Sequence, residues 1–277
     1  MAQMHFRPGV PGVLPSTWLI RPETSAKAPP VLAIHGLNRE VELMADLLAR
    51  QADVTGRTII LPVFDRNSWP HYQRAACKKR SDWALLALLR VLRDEGWIGA
   101  APPDISGFSG GAQFAHRFTW LYPQHIGQLC IVAPGWWTFP DTRGSYPLGV
   151  AKERFGGNSL AFRLRTNLRR FLARKIVVMV GDLDVTQDKN LRQDPDIMSQ
   201  QGPNRVQRAR NWTAAIKRAA RQERIRPNIR FRLMDNCGHG FADCVANGGL
   251  ASAFVPVFSE KSTACPTFGQ RQLEEVA

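Results

Sequence analysis

The fold is indicated by residues 104–114, which read DISGFSGGAQF and contain the pattern Gly-x-Ser-x-Gly with Ser109 at its centre. An apolar, extended pair, Ile105 and Phe108, leads up to Ser109, and apolar residues recur at helical spacing behind the pattern. Where a strand turns sharply into a helix, the serine hydroxyl emerges at the top of the sheet. Glycines flank it because a Cβ there would clash with the strained turn. The stretch therefore predicts a strand, a tight turn and a helix that together expose Ser109 as a nucleophile.

Carboxylates follow a second predicted strand further along the chain. Residues 175–180 read KIVVMV, an apolar and β-branched run that is typical of a buried parallel strand. Three aspartates come after it, Asp182, Asp184 and Asp188. Each of them is a candidate for the acid that orients a histidine base.

A histidine follows the last predicted strand. Residues 229–234 alternate in polarity like a strand and lead into residues 236–241, NCGHGF, where glycines bracket His239. A loop with so little side-chain bulk lets the imidazole reach a nucleophile. The order serine, aspartate, histidine along the chain is typical of one fold in particular.

A fourth motif lies upstream, where residues 31–38 read VLAIHGLN, an apolar strand that ends in His-Gly. With these four motifs, the chain resembles the α/β-hydrolase superfamily, and the resemblance covers most of its length. It implies an α/β fold with a mostly parallel central sheet flanked by helices. It also implies a serine hydrolase of the esterase or depolymerase-like branch.

The resemblance assigns roles to residues. It implies a catalytic triad of Ser109, Asp184 and His239, and an oxyanion hole formed by the backbone N–H groups of Leu37 and Gly110. Asp184 is favoured over its neighbours because the acid of this family usually follows the glycine by three residues. Asp182 is expected to cap the turn, and His35 to support the oxyanion loop.

The chemistry of these residues points to ester hydrolysis. A serine hydroxyl is a poor nucleophile at neutral pH, so a histidine must take its proton, and a carboxylate must fix the histidine tautomer. We therefore expect a carboxylic ester hydrolase that works through an acyl-enzyme and acts on a small-molecule or oligomeric ester. The alternatives are an acyltransferase or a non-hydrolytic binding protein on the same scaffold, and a peptidase.

A long insertion between two predicted strands spans residues 134–174, where this fold commonly carries a lid. It opens with PGWWTFPD, which sets Trp136, Trp137 and Phe139 just past the carboxyl end of a strand. Ligands of open α/β sheets bind at such edges, so we expect these rings to bind substrate. Anchoring of the lid to the body is the alternative interpretation of the two tryptophans.

Composition is that of one domain. The 277 residues are 44% hydrophobic, enough to bury a large core, and we expect residues 1–277 to form a single unit. The chain has no apolar run long enough to span a membrane, and Met1 to Arg21 lacks the apolar core of a signal peptide, so a cytoplasmic location is expected. Cys237 and Cys244 flank His239 without the spacing of a common zinc site, so neither a metal nor a cofactor is expected. The oligomeric state is left open.

The formal net charge is +14, and the excess lies on residues 138–174 and 204–232. The second region contains a predicted helix with an apolar stripe, so its arginines are expected to point outward into water. Such a field could steer an anionic substrate. The chain carries no recognisable nucleic-acid motif, so nucleic acid is not an expected partner.

Strands and helices are expected to alternate, as a parallel sheet with crossovers requires. An antiparallel edge strand is expected around residues 18–20. The predicted core strands are 31–35, 58–63, 104–108, 128–133, 175–180 and 229–234. The predicted helices are 39–50, 81–94, 110–121 and 204–225, with a further helix in the second half of 134–174.

Overall fold

The computed structural model describes residues 1–151, 159–188 and 190–258, and the statements below concern these residues. They form one eight-stranded sheet in the order β1-β2-β4-β3-β5-β6-β7-β8. The strands are β1 Gln3–Arg7, β2 Ser16–Arg21, β3 Val31–Ile34, β4 Ile59–Val63, β5 Asp104–Phe108, β6 Gln128–Val132, β7 Lys175–Gly181 and β8 Ile229–Met234. All neighbouring pairs from β4 to β8 are parallel, and β1 and β2 pair antiparallel at one edge.

Eight α-helices connect or follow these strands in the described part of the chain. They are α1 Val41–Thr55, α2 Ser81–Asp94, α3 Gly110–Leu121, α4 Ser159–Leu172, α5 Pro195–Gln201, α6 Arg205–Gln222, α7 Phe241–Ala246 and α8 Leu250–Phe254. Helix α1 packs with α7 and α8, while α3, α4 and α6 pack against one another in turn. None of the helices in the described ranges is long and apolar enough to cross a membrane.

The predicted α/β fold is confirmed, and so are the six predicted core strands. Strands β3 and β5 are buried at every position, because helices cover the central strands and leave no solvated face. The edge differs from the prediction, since it is a hairpin of two strands. Most of β1 is exposed, so its sequence has no buried face to reveal it.

The predicted lid segment is described only in part, because residues 152–158 lie outside the described residues. Its second half forms α4, which packs against α3 and α6. The Trp120 ring of α3 stacks on Phe171 of α4 with centroids 5.0 Å apart, and its indole N–H donates to the carbonyl of Leu164 at 2.8 Å. This part of the segment is therefore built into the body of the domain.

The expectation that the arginines of α6 point outward is wrong for two of them. Arg205 and Arg208 are fully buried. Arg208 donates to the carbonyls of Gly202 (2.7 Å), Gly135 (2.5 Å) and Arg192 (2.8 Å), so one guanidinium joins three loops. Burying a cation is tolerated when its donors are satisfied in this way.

The helix that follows Ser109 can approach the sheet only because its second residue is a glycine. A Cβ placed on Gly111 would lie 2.1 Å from the carbonyl oxygen of Ile34, and one on Gly107 would lie 2.3 Å from the carbonyl oxygen of Gly111. Both neighbours are backbone atoms, which cannot move aside as a flexible side chain can. The ends of β3, β5 and α3 are therefore in direct contact.

We predict that Gly111→Ala destabilises the protein by at least about 3 kcal/mol, since backbone must shift to admit the methyl group. Gly99→Ala is the matched control, because a Cβ at Gly99 meets nothing within 4 Å. It should change the free energy of unfolding by no more than about 0.5 kcal/mol. Urea denaturation of both variants measures the difference, and equal stability would show that the contact between β3 and α3 is loose.

Candidate active site

The three residues expected to act together meet at the carboxyl edge of the sheet. Ser109 follows β5, Asp184 follows β7 and His239 follows β8. The Nε2 atom of His239 lies 3.0 Å from the Oγ of Ser109, and its Nδ1 lies 2.8 Å from the Oδ2 of Asp184. If Nδ1 carries the proton and donates to the carboxylate, Nε2 is left as an acceptor for the serine hydroxyl. This is the geometry of a nucleophile, a base and an orienting acid.

The backbone of Ser109 lies in a region of positive φ that side chains rarely adopt, with φ 53° and ψ −112°. Its N–H donates to the carbonyl of Val132 at 2.8 Å, which joins the turn to the end of the neighbouring strand. Such strain persists only where the surrounding structure enforces it, and it clusters at functional sites. Here the close contacts of Gly107 and Gly111 enforce it.

The loop that carries His239 is joined to the loop that carries Asp184. A Cβ on Gly181 would lie 2.1 Å from the carbonyl oxygen of Cys237, so the two loops touch backbone to backbone. The Oδ1 of Asp182 accepts from the N–H of Cys237 at 3.2 Å, and the N–H of Leu183 donates to the carbonyl of Cys237 at 3.0 Å. Asp182 thus holds the histidine loop, while the carboxylate two residues later contacts the imidazole.

Aromatic packing fixes the plane of the imidazole. The Phe108 ring stacks on His239 with centroids 5.3 Å apart and planes inclined by 26°, and Phe241 packs edge-on against Phe108 at 5.3 Å. The side chain of His239 is 22% exposed, so the ring is supported on one side and reachable from solvent.

A buried arginine also contacts Asp184. The Nη1 atom of Arg205 donates to Asp184 at 3.0 Å and to Asp188 at 2.6 Å, and the side chains of Arg205 and Asp184 are each 1% exposed. Although partial burial opposes its ionisation, hydrogen bonds from Arg205 and the Asn190 backbone hold the pKa of Asp188 below its ordinary value. Asp184 therefore contacts His239 through one oxygen and a cation through the other.

Sequence reasoning missed Arg205, because it assigned the arginines of this helix to solvent. A signal was present in the helical spacing: Arg205 lies four residues before Ala209, and Arg208 four residues before Trp212, on the stripe that faces the core. Charged residues on a buried stripe indicate specific partners.

The residues proposed for the oxyanion hole lie beside the nucleophile. A Cβ on Gly110 would lie 2.8 Å from the Cγ of Leu37, and one on Gly36 would lie 3.7 Å from the Cβ of Ser109. Gly110 is the first residue of α3, and the first N–H groups of a helix have no acceptor within it. Leu37 and Gly110 are therefore adjacent around Ser109.

The loop that contains Leu37 is held by one arginine. The guanidinium of Arg39 donates to the carbonyls of Leu37 (2.8 Å), Phe64 (2.6 Å) and Trp69 (3.2 Å). The backbone N–H of Arg39 also donates to the carbonyl of Gly36 at 3.1 Å, which closes a tight turn. Arg39 thus holds in place the backbone of Leu37, whose N–H is the proposed oxyanion donor.

His35 supports the same loop from inside the protein. Its Nε2 accepts from the N–H of Phe64 at 3.0 Å, so its Nδ1 carries the proton and donates to the carbonyl of Gly36 at 2.8 Å. The Tyr72 hydroxyl donates to the carbonyl of His35 at 2.5 Å. Burial, together with the nearby Arg39 guanidinium, lowers the pKa of His35 to about 4.

The cleft above Ser109 has a volume of about 230 Å³. Most of its wall is formed by residues 36–40, by the start of α1, and by the loop that carries His239. Besides Ser109 and His239, its polar lining consists of Asn38, Arg39, Glu40, Gln113, Asn190 and Arg205, and its apolar lining includes Leu37, Leu43, Met44, Phe108 and Phe241.

The structure places the three predicted substrate-binding aromatics in the core. Trp136, Trp137 and Phe139 are 3%, 0% and 6% exposed, and none of them is among the described residues that line the cleft. The Trp137 ring stacks on Trp212 at 4.4 Å, while Trp136 lies against the guanidinium of Arg117 at 4.1 Å. Each tryptophan therefore has a partner in the body of the domain, as its alternative interpretation expects.

Within the described ranges, no group of three or more histidine, cysteine or carboxylate side chains is arranged to hold a metal ion. The two cysteines that flank His239 are buried, and burial raises the pKa of the Cys244 thiol to about 12. That thiol is protonated at neutral pH and is a poor metal ligand.

The comparisons with known proteins concern the fold. No protein-family model matches the chain, and no curated protein matches it in sequence. The chain is similar in structure to poly(aspartic acid) hydrolase-1 from Sphingomonas sp. KT-1, with TM-score 0.76, 19% identity, and coverage of 93% of this chain and 98% of the other.

A poly(3-hydroxybutyrate) depolymerase from Bordetella parapertussis is similar with TM-score 0.75, 24% identity, and coverage of 92% of this chain and 90% of the other. An S-formylglutathione hydrolase from Agrobacterium tumefaciens has TM-score 0.56, 12% identity, and coverage of 93% and 95%. These similarities, with the eight-stranded, mostly parallel sheet, show that the chain has the α/β-hydrolase fold.

We predict that stability falls as the pH drops below 6.5, in part because of His35. The unfolded chain takes up a proton near pH 6.5, whereas the buried imidazole resists it down to about pH 4. Between pH 7 and pH 5 this difference costs the native state about 2 kcal/mol. His35→Gln removes the contribution of this imidazole to the pH dependence. The free energy of unfolding is measured in urea at pH 7 and pH 5. Between these values, the decrease in the variant should be about 2 kcal/mol smaller than the decrease in the unmodified protein. The same pH dependence in both proteins would mean that His35 protonates freely in the folded state.

Proposed function

We propose that the protein hydrolyses a carboxylic ester through an acyl-enzyme intermediate formed on Ser109. The observation that carries this proposal is the pair of contacts of His239, at 3.0 Å to the Ser109 hydroxyl and 2.8 Å to Asp184. The strained backbone of Ser109, with φ 53°, is the second support. Such a conformation costs energy in a residue other than glycine, and strained residues cluster at functional sites.

In the first half of the reaction, Nε2 of His239 takes the proton of Ser109 as its Oγ attacks the ester carbonyl. The carbonyl oxygen becomes an oxyanion, for which we propose the N–H groups of Leu37 and Gly110 as donors; one such donor typically contributes about 3 kcal/mol. The imidazolium then gives its proton to the departing alkoxide as the ester C–O bond breaks. This leaves the acyl group on Ser109 and releases the alcohol.

In the second half, His239 takes a proton from water as the water oxygen attacks the acyl carbonyl. Collapse of the tetrahedral intermediate breaks the bond to Ser109, which recovers its proton from the imidazolium, and a carboxylic acid is released. The Asp184 carboxylate accepts from Nδ1 and so keeps the proton of the imidazole on that atom. We assign Arg205 to positioning, since it holds the second oxygen of Asp184 and thereby the direction of the carboxylate.

The substrate class we propose is a short acyl ester, including esters within an oligomer. A cleft of about 230 Å³ accommodates a small acyl group, and its wall mixes apolar side chains with amides and guanidinium groups. The similarity to a depolymerase of poly(3-hydroxybutyrate) supports an oligomeric ester as the natural form of the substrate.

The nucleophile is tested by Ser109→Ala, which should lower the hydrolysis of p-nitrophenyl acetate and butyrate by roughly 10^4-fold or more. Alanine lacks the attacking oxygen but fits the turn, so the free energy of unfolding should change little. His239→Ala should fall to a similar floor, because the two residues act as a unit. Ser252→Ala, at an exposed serine, is the control and should keep full activity. Retention of most activity by Ser109→Ala would refute the proposal. Labelling of Ser109 in the unmodified protein by a fluorophosphonate probe, without hydrolysis of either ester, would favour an acyltransferase.

The acid is tested by Asp184→Asn, which should lower kcat by about 10^4-fold because an amide favours the wrong histidine tautomer. Asp188→Asn is the matched control: it also takes a carboxylate from Arg205 but leaves the contact with His239. It should lower kcat by no more than about tenfold, a loss of positioning alone. Asp182→Asn should act mainly on stability, through the Cys237 loop. A larger loss of kcat in Asp182→Asn than in Asp184→Asn would reassign the acid.

A further inference from the structure

A large cavity in the described part of the chain lies far from Ser109. It is a groove of about 990 Å³ at the amino ends of β7 and β8, where α4 and α6 end. Ser109 lies at the carboxyl ends of the strands, so roughly 20 Å of strand separates the two sites. The groove is lined by Gln124, Arg169, Arg170, Ala173, Arg174, Arg224, Ile225, Arg226, Pro227, Asn228, Ile229 and Arg230. We call it the arginine groove.

Half of these residues are arginines, and their charge is largely unbalanced. Arg169 pairs with Glu223 at 3.1 Å. Within the ranges that the structure describes, no carboxylate lies within 4 Å of the guanidinium groups of Arg170, Arg224, Arg226 or Arg230. These four side chains are exposed, so no buried contact explains their position.

Guanidinium groups that converge on one groove repel one another, and an anion that bridges them removes this cost. Each guanidinium offers a planar fork of donors that matches a carboxylate or phosphate in two hydrogen bonds. The groove is too large for one such group, since about 990 Å³ is the volume of a ligand many atoms long. The occupant therefore carries several anionic groups.

The lining residues other than the arginines indicate which class of anionic ligand fits the groove. Between the arginines the wall is largely apolar, with Ala173, Ile225, Pro227 and Ile229, which suits a ligand with a hydrocarbon stem. A lipid bilayer is flat and would not follow a concave groove. The lining contains no aromatic ring on which a nucleic-acid base could stack.

We propose that the arginine groove binds a linear polycarboxylate, a chain of carbon units that carries carboxylates at regular intervals. The carboxylates pair with Arg170, Arg226 and Arg230, and the stem lies on the apolar wall. The site is separate from the ester cleft, so this binding does not depend on the proposed hydrolysis.

The test is the fluorescence anisotropy of labelled poly(L-glutamate) titrated with the full chain. The double variant Arg226→Gln/Arg230→Gln removes two of the proposed contacts and should weaken binding by about tenfold or more. Arg210→Gln/Arg218→Gln is the matched control, since both arginines are exposed on α6 outside the groove and the net charge changes equally. It should weaken binding by no more than about twofold, because salt screens the attraction between the ligand and charges that lie outside the groove.

Equal weakening in the two double variants would overturn the proposal, because net charge alone would then explain the binding. The absence of binding to the unmodified protein would also overturn it. Tighter binding of inorganic polyphosphate, single-stranded DNA or phosphatidylglycerol vesicles in competition would overturn the assignment to a polycarboxylate. Hydrolysis of p-nitrophenyl butyrate should be unchanged in the groove variant, which separates this result from any failure of the proposed function.

Discussion

The close approach of backbone to backbone around Ser109 is the constraint on which the candidate site depends. Gly111 lies against the carbonyl of Ile34 and Gly107 against that of Gly111, so the ends of β3, β5 and α3 form one rigid corner. The chain passes this corner with Ser109 at positive φ. The hydroxyl is then directed away from the sheet, and the first N–H groups of α3 lie beside it. Removing that contact would relax the turn and the orientation of the hydroxyl together.

The other half of the site is fixed by a second contact of the same kind. Gly181 lies against the carbonyl of Cys237, and Asp182 accepts from the N–H of the same cysteine, so the loops that carry Asp184 and His239 are joined. Arg205 adds a charged contact from α6 to these loops, and Arg39 holds the oxyanion loop on the other side. A buried arginine is costly, but Arg205 pairs with two carboxylates, and the half-buried Arg39 donates to three carbonyls.

Much of the fold was predictable because its signals are local. Apolar runs marked the strands at residues 31–34, 104–108 and 175–181, and glycines marked the turns that follow them. The same signals placed Ser109 and His239 on loops at one edge of the sheet, since parallel strands end together.

The remainder was not predictable because it depends on contacts between distant residues. Trp137 has the sequence context of a pocket residue, but its stacking partner Trp212 lies on α6, and only the folded chain brings the two rings together. The helix that carries Arg205 is rich in arginine, which is typical of a helix exposed to water. The side chain of Arg205 nevertheless contacts Asp184 and Asp188. Strand β1 is exposed and pairs with β2 through its backbone, for which sequence patterns carry no signal.

The central claim is that folding alone makes Ser109 a nucleophile, by bringing His239 and Asp184 to it. The most direct measurement is the mapping, by peptide mass spectrometry, of the residue that a fluorophosphonate modifies in the native protein and in the urea-unfolded protein. The account predicts a single adduct on Ser109 in the native protein, strongly reduced in His239→Ala and absent after unfolding. An adduct on another serine, or equal labelling of native and unfolded chains, would contradict it.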